Sequence, residues 1–92
     1  MRIRWTEPAA RDLTSICDYI RDHDAPGTAR RVALTMLEGV KSLARFPNRG
    51  RPGRRQGTPE LVLPHLPFLA IYRLRGDDVE VLRILHGAQQ WP

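Results

Sequence analysis

Two amphipathic segments in the first half of the chain constrain its fold more than any other feature. Apolar residues recur with helical spacing across 13–20, after a Thr6 N-cap, and predict a first helix that ends near His23. A second helical period runs over 29–44 and ends at Phe46-Pro47, because proline disfavours a helical conformation in the residue before it. The two helices should form an antiparallel hairpin whose apolar stripes need a covering sheet.

Alternating and apolar runs supply the strands of that sheet. Residues 1–5 alternate in polarity, and after a glycine-rich loop three further runs have strand character, at 61–63, 68–74 and 79–86. We therefore predict one α+β domain spanning residues 1–92, with an N-terminal strand, an antiparallel two-helix hairpin and then three antiparallel strands forming one sheet. The whole sheet, of about four strands, is expected to be antiparallel.

The last two strands predict a hairpin with a defined register. Gly76-Asp77 suits a two-residue type II′ turn, because glycine supplies the positive φ of its first central position. The register that follows pairs Arg75 with Asp78, Arg73 with Glu80, Ile71 with Leu82 and Leu69 with Ile84. We expect the helices to cover the face that carries Leu69, Ile71, Leu82 and Ile84.

The opposite face of this hairpin carries a charge in mid-strand. Arg83 lies there together with Tyr72, and a charge is costly beneath packed helices. We therefore expect this face to be open to a partner, with Arg2 and Arg4 of the first strand extending it.

Arginine dominates the charge of the chain. The net charge is +5 and Lys41 is the only lysine, and guanidinium groups bind carboxylates and phosphates in two-point geometry. Between residues 45 and 58 there are no acidic residues but five arginines, among glycines and prolines: Arg45, Arg49, Arg51, Arg54 and Arg55. This segment is either a solvated connection or a mobile electropositive loop that binds a nucleic acid or an acidic protein.

The sequence disfavours several classes of protein. His23, His65 and His86 have no cysteine or histidine at metal-ligand spacing, and no phosphate-binding glycine motif opens a helix, so we expect neither a metal nor a cofactor. No apolar run approaches the ~20 residues of a membrane span, and charges stand where a secretory signal is apolar. We expect a cytoplasmic protein with no membrane partner.

Metal-free RNA cleavage is the catalytic chemistry for which candidates exist. It needs a general base, a general acid and cations that stabilise the phosphorane. If the protein is a nuclease, His86, Arg83 and Tyr72 are its candidate catalytic residues, with Glu60 and Arg73 as further candidates. Arg83 stands out among them because it has no obvious structural partner in the sequence.

Four short motifs follow the helices in an order that is typical of one protein family. They are Phe46-Pro47 with 50–54 (GRPGR), 60–62 (ELV), 67–73 (PFLAIYR) and 83–87 (RILHG). Together with the preceding strand and helix hairpin, they resemble the RelE/ParE superfamily of toxins from type II toxin–antitoxin systems, also called plasmid stabilisation proteins. The resemblance covers essentially the full chain.

The resemblance implies a growth-arresting toxin. RelE-like members cut mRNA on the ribosome, whereas ParE-like members inhibit DNA gyrase. The cutters carry basic residues where this chain has Phe68 or Leu69 and then Ala88 or Gln89, and a tyrosine in a C-terminal segment that has no counterpart here. The resemblance thus favours a ParE-like, non-enzymatic inhibitor of gyrase, with a ribosome-dependent mRNA endoribonuclease and a non-toxic basic nucleic-acid-binding module as alternatives.

The resemblance also implies a partner, a cognate acidic antitoxin that forms a hetero-oligomer with the toxin. A helix or extended segment of the antitoxin would lie across the helix hairpin and the sheet edge, with its carboxylates near basic side chains. The candidate residues for contacts with antitoxin or target are Arg2, Arg4, Arg30, Arg31, Arg49, Arg51, Arg54, Arg55, Arg83 and Trp91.

Overall fold

The elements follow one another as a strand, two helices and three strands in the computed structural model, which describes residues 1–87 and 89–92. They are β1 (Arg2–Trp5), α1 (Glu7–His23), α2 (Thr28–Lys41), a 3₁₀ turn (Ser42–Ala44), β2 (Glu60–Val62), β3 (Phe68–Arg75) and β4 (Asp78–His86). This order confirms the predicted α+β class. Among the described residues, no helix has the length and apolar character to cross a bilayer.

The helix ends follow from local chemistry that the sequence displays. The Thr6 side chain accepts the Ala9 N–H at 3.2 Å and caps α1 as predicted. Gly27 precedes α2 with φ +87, a left-handed conformation that glycine adopts without strain. The predicted second helix tightens into the 3₁₀ turn for its last residues, where Arg45 donates its N–H to the Ser42 carbonyl at 3.2 Å.

The sheet is mixed, with the strand order β1-β4-β3-β2. β1 runs parallel to β4, in a register that pairs Arg2 with Asp78 and Trp5 with Val81. The expectation of a wholly antiparallel sheet is therefore wrong for β1. Four alternating residues indicate which side faces the core, but they carry no information on the direction of the strand.

The β3–β4 hairpin keeps the predicted register only near its turn. Gly76 has φ +59, and the pairs Arg75–Asp78 and Arg73–Glu80 form as expected. A bulge then shifts the register, so that Arg83 instead of Leu82 pairs with Ile71, and Leu85 instead of Ile84 pairs with Leu69. Leu82 is the extra residue of the bulge, and α1 holds the backbone on both sides of it. The Thr6 hydroxyl donates to the Leu82 carbonyl at 3.0 Å, and the Asp12 carboxylate accepts the Ile84 N–H at 3.0 Å.

The helices cover the face of the hairpin that was predicted to be open. The main core contains Ala9, Met36, Val40 and Leu43 from the helical half and Leu61, Leu63, Ala70, Tyr72, Val79, Val81 and Ile84 from the strand half. Leu69, Ile71 and Leu85 form a second cluster with Leu82 and Trp91. We call the side of the sheet away from the helices, which carries this second cluster, the back face.

Both faces of the hairpin are apolar near its open end. The sequence pattern therefore led to a wrong prediction of the face that the helices cover. Of the four residues predicted to lie beneath the helices, Leu69, Ile71 and Leu82 belong to the back-face cluster. The bulge moves Ile84 alone to the helix side. The prediction that Tyr72 faces a partner is correspondingly wrong, because its side chain is fully buried in the main core.

Candidate functional site

Tyr72 anchors the arginine-rich loop to the centre of the sheet. Its hydroxyl donates to the Pro47 carbonyl at 2.7 Å and accepts the Gly50 N–H at 2.9 Å. A Cβ at Gly50 would lie 2.6 Å from the Tyr72 hydroxyl, so only glycine allows this approach. Burial raises the pKa of the Tyr72 phenol, and the hydrogen bond from Gly50 partly opposes that rise. Tyr72 therefore positions the loop and does not present a proton at the surface.

Glu60 is a second anchor of the same loop. The residue is buried, with only 2% of its surface exposed. Its oxygens lie 3.6 Å from the Arg51 guanidinium and 3.9 Å from that of Arg54, and one of them accepts the Arg54 backbone N–H at 3.3 Å. Arg51 and Glu60 also exchange two backbone hydrogen bonds, each 2.9 Å long. No acid stands within residues 45–58, but Glu60 from the next strand lies beneath Arg51 and Arg54 and compensates part of their charge.

The other loop arginines differ in how they are held. Arg49 donates to the Ser42 hydroxyl at 2.7 Å. Arg45 stacks over the exposed Phe46 ring, 5.6 Å from its centroid. The Arg55 side chain is exposed, while its carbonyl accepts the Thr58 hydroxyl at 2.7 Å. The loop is thus fixed at both ends of its basic run and presents Arg49 and Arg55 to solvent.

Arg83 forms an ion pair with the first helix. Its Nε and Nη2 donate to the two carboxylate oxygens of Asp12 at 2.7 and 3.0 Å. These hydrogen bonds raise the pKa of the Arg83 guanidinium. The expectation that Arg83 lacks a structural partner is therefore wrong. Its register partner in the hairpin is Ile71, and its side chain extends to Asp12 of α1.

The sequence held a signal for this ion pair that was not used. Asp12 lies within the apolar stripe of α1, three residues after the buried Ala9 and four before Ile16. An acid at such a position needs a partner from the element that the helix packs against.

The candidate nuclease residues differ in their surroundings. Tyr72 is in the helix-side core, and the Arg83 guanidinium binds Asp12 of α1. His86 ends β4 opposite Phe68, whose ring it meets edge-on at 5.9 Å between centroids. With Ser15, Ile16 and Tyr19 these two rings line a small cleft of about 310 Å³ against α1. Tyr72 is thus enclosed in the core, whereas Arg83 and His86 both lie against α1.

The described C-terminal residues fold over the back face. The Arg54 guanidinium donates to the carbonyls of Gln89 at 2.6 Å and Gly87 at 3.3 Å. Trp91 packs against the cluster of Leu69, Ile71 and Leu85. Its Nε1 is buried and has no hydrogen-bond partner within the described part of the chain. Ala88, one of the positions compared with the RNA-cutting toxins, lies outside the described residues.

The remaining basic candidates lie at the surface. Arg2 and Arg4 are exposed on β1, in register with the acids of β4. Arg30 and Arg31 are exposed on α2, near the exposed side chains of Leu34 and Leu37. Within residues 1–87 and 89–92, no three side chains of histidine, cysteine, aspartate or glutamate are grouped as metal ligands would be.

Comparison with known proteins shows which family has this sequence pattern. Residues 3–91 match the model of a family described as the ParE toxin of the type II toxin–antitoxin system parDE. A curated toxin homologue from Sinorhizobium fredii, Y4kP, is 46% identical over 99% of this chain and 93% of the relative. Toxin RelE2 of Caulobacter vibrioides is 35% identical over 96% of this chain and 97% of its own length.

The fold is also similar to that of a solved structure. The chromosomal ParDE toxin–antitoxin system of P. aeruginosa contains a chain that is 33% identical, with a TM-score of 0.85 over 94% of this chain and 95% of that one. The similarity in sequence and the similarity in fold therefore extend over the same, nearly complete, length.

Proposed function

Because this chain belongs to the ParE toxin family of type II toxin–antitoxin systems, we propose that it arrests growth by inhibiting DNA gyrase, without cleaving RNA. One observation supports this choice most directly. Each of the three candidate residues for acid–base cleavage already has a partner inside the protein: Tyr72 bonds the loop, Arg83 bonds Asp12, and His86 packs beside Phe68. General acid–base catalysis needs such groups within hydrogen-bonding reach of one substrate.

The environment of each candidate supports the same choice. The Tyr72 hydroxyl already makes two hydrogen bonds inside the protein, and burial raises its pKa. Arg83 directs both ends of its guanidinium fork to one carboxylate, which offsets the charge a phosphorane would need. The similarity to the ParDE structure, over nearly the full length of both chains, adds weight to a ParE-like target.

The alternative is a ribosome-dependent endoribonuclease, and the Caulobacter relative named RelE2 favours it. In that case His86 would act as the base or acid and Arg83 would have to leave Asp12 to stabilise the phosphate. Arg83→Ala and His86→Ala would then abolish toxicity in cells while the proteins remained folded.

The proposal includes a cognate acidic antitoxin, as the ParDE name of the structural relative suggests. The outer side of α2 offers a suitable surface, because Arg30 and Arg31 lie near Leu34 and Leu37, which are 46% and 41% exposed. An amphipathic acidic helix would bury the leucines and place carboxylates beside the arginines.

Induced expression in a bacterial host tests the proposal. We expect growth arrest, induction of the DNA-damage response and stalled gyrase cleavage complexes, with supercoiling by purified gyrase inhibited by the purified chain. Transcript ends mapped from the same cells should show no codon-positioned cuts, and co-expression of an adjacent acidic open reading frame should restore growth. Codon-positioned cuts with normal supercoiling would instead establish the endoribonuclease.

A further inference from the structure

The back face carries four arginines around two carboxylates, close to the β3–β4 turn. In one row across three strands, Asp78 of β4 pairs in register with Arg2 of β1 and Arg75 of β3. The next row repeats the arrangement: Glu80 of β4 pairs with Arg4 of β1 and Arg73 of β3. Register partners on neighbouring strands point to the same face, so each row is an arginine, an acid and an arginine.

The carboxylates fix the positions of the arginines without neutralising them. Asp78 accepts Arg2 Nε at 2.9 Å and Glu80 accepts Arg73 Nε at 2.6 Å. Arg4 lies 3.8 Å from Asp78 and Arg75 lies 4.0 Å from Glu80, too far for direct hydrogen bonds. With Asp77 of the adjoining turn, four positive and three negative groups leave a net charge of +1 at this end of the sheet.

The accessibility of the charges is unequal. The side chains of Asp78 and Glu80 are 17% and 19% exposed, whereas those of Arg2, Arg4 and Arg75 are between 63% and 74% exposed. A ligand that approaches the cluster therefore meets guanidinium groups first.

Arg2, Arg4 and Arg75 line an open cleft of about 610 Å³ together with Asp77, Asp78, Glu80, Trp5, Thr6 and Gly76, while Arg73 stands outside this lining. Because β4 lies between β1 and β3, the arginines of one row begin about 10 Å apart, and those of one strand begin about 7 Å apart. A protein partner normally needs an apolar patch at the centre of its contact, which this charged cleft does not provide. A polymer with evenly spaced negative charges fits it better.

We propose that this cluster, Arg2, Arg4, Arg73 and Arg75, binds the phosphodiester backbone of a nucleic acid. Guanidinium groups engage phosphate oxygens in two-point geometry, and Arg4 and Arg75 have donors to spare for it. Such contacts recognise the backbone and not the sequence. The site goes beyond gyrase inhibition, since it would hold nucleic acid whichever target the toxin has.

The experiment measures binding of the purified full chain to fluorescein-labelled duplex DNA and single-stranded RNA of matched sequence, by anisotropy between about 50 and 200 mM salt. The variant Arg4→Ala/Arg75→Ala removes two exposed cations from the cluster. The control Arg11→Ala/Arg21→Ala removes the same charge from α1, where both arginines are 66–68% exposed and paired with nearby acids. Circular dichroism and thermal melting check that both variants fold.

We expect the cluster variant to bind about tenfold more weakly at low salt, with a log–log salt slope reduced by about 1.8 on duplex DNA, and the control to change by less than about twofold. The tighter of the two probes identifies the nucleic acid. Equal losses in both variants would indicate a general charge effect and overturn the proposal. So would an unchanged affinity of the cluster variant for both nucleic acids.

Discussion

Arg83 and Asp12 form a two-point ion pair that joins the last strand to the first helix. Its two hydrogen bonds are 2.7 and 3.0 Å long, and Asp12 also accepts the Ile84 N–H at 3.0 Å. One carboxylate therefore satisfies a mid-strand charge and a backbone donor at the edge of β4, beyond the point where β1 ends.

Replacement of either partner should destabilise the protein, and Asp12 should matter more. We expect Asp12→Ala to lower the free energy of unfolding by about 2–3 kcal/mol, because it loses two charge-assisted hydrogen bonds and leaves Ile84 N–H without its acceptor. Arg83→Ala should cost about 1–2 kcal/mol, since Asp12 keeps the Ile84 bond. Denaturant unfolding of the single and double variants gives the coupling between them.

Asp22→Ala is the control for this pair, because Asp22 is exposed and pairs with Arg21 on the surface of α1. Its cost should be at most about 1 kcal/mol. A coupling energy near zero between Asp12 and Arg83 would contradict the structural role assigned to the pair.

Tyr72→Phe should remove two hydrogen bonds and also weaken the pH dependence of the free energy of unfolding. Burial raises the pKa of Tyr72 above its ordinary value of 10.0. Above about pH 10 the unfolded chain therefore loses this proton before the folded one does, and the stability of the wild type falls as pH rises. Tyr72→Phe should cost about 1–3 kcal/mol at neutral pH and show a shallower alkaline decline.

The measurement is the free energy of unfolding between neutral pH and about pH 11, with Tyr19→Phe as the matched control. Tyr19 is 63% exposed, so removal of its hydroxyl should leave the free energy of unfolding at neutral pH nearly unchanged. Parallel pH profiles for wild type and Tyr72→Phe would show that the phenol is not the group responsible.

Glu60→Gln should loosen the arginine-rich loop. The substitution removes the negative charge that lies beneath Arg51 and Arg54, while the amide keeps nearly the same shape. We expect limited trypsin digestion to cut faster after Arg54 and Arg55. Arg51 precedes Pro52 and should resist cleavage in either protein. Unchanged digestion rates at these two bonds would mean that the carboxylate does not hold the loop.

Arg54→Ala should release the C-terminal residues from the back face. Arg54 donates to the Gln89 and Gly87 carbonyls, and Trp91 packs on the apolar cluster nearby. In a Trp5→Phe background, the fluorescence of Trp91 should shift to longer wavelength and become easier to quench with iodide. Arg55→Ala, which removes an exposed neighbouring charge, should leave both quantities unchanged.

The sequence predicted the elements of this fold where local chemistry determines them. The α1 N-cap at Thr6, the end of the second helix before Pro47 and the turn at Gly76 each depend on residues within one or two turns of the feature. Such features can be read without knowledge of the rest of the molecule.

The bulge in β4 could not be predicted in the same way. It depends on Thr6 and Asp12, which lie 76 and 72 residues from their partners Leu82 and Ile84. Since β4 is apolar on both faces near its end, alternation alone did not favour one register over the other. The covering of Tyr72 was missed because Arg83 in mid-strand favoured an open face, although Asp12 in the apolar stripe of α1 indicated a partner for that arginine.

The sequence identified the basic residues of the site better than it identified their partners. The exposed positions of Arg2 and Arg4 were expected, and the loop arginines were identified as a group. The acid that holds Arg51 and Arg54 comes from Glu60, just outside the basic run, so inspection of the run by itself gave too high a charge.

The central position of β4 has a consequence for synthesis of the protein. Its neighbours in the sheet are β1 and β3, and β1 leaves the ribosome long before β4. A nascent chain therefore exposes β1 and the apolar side of both helices until β4 has emerged. Premature termination before Asp78 would give a fragment in which β1 has no neighbouring strand to pair with.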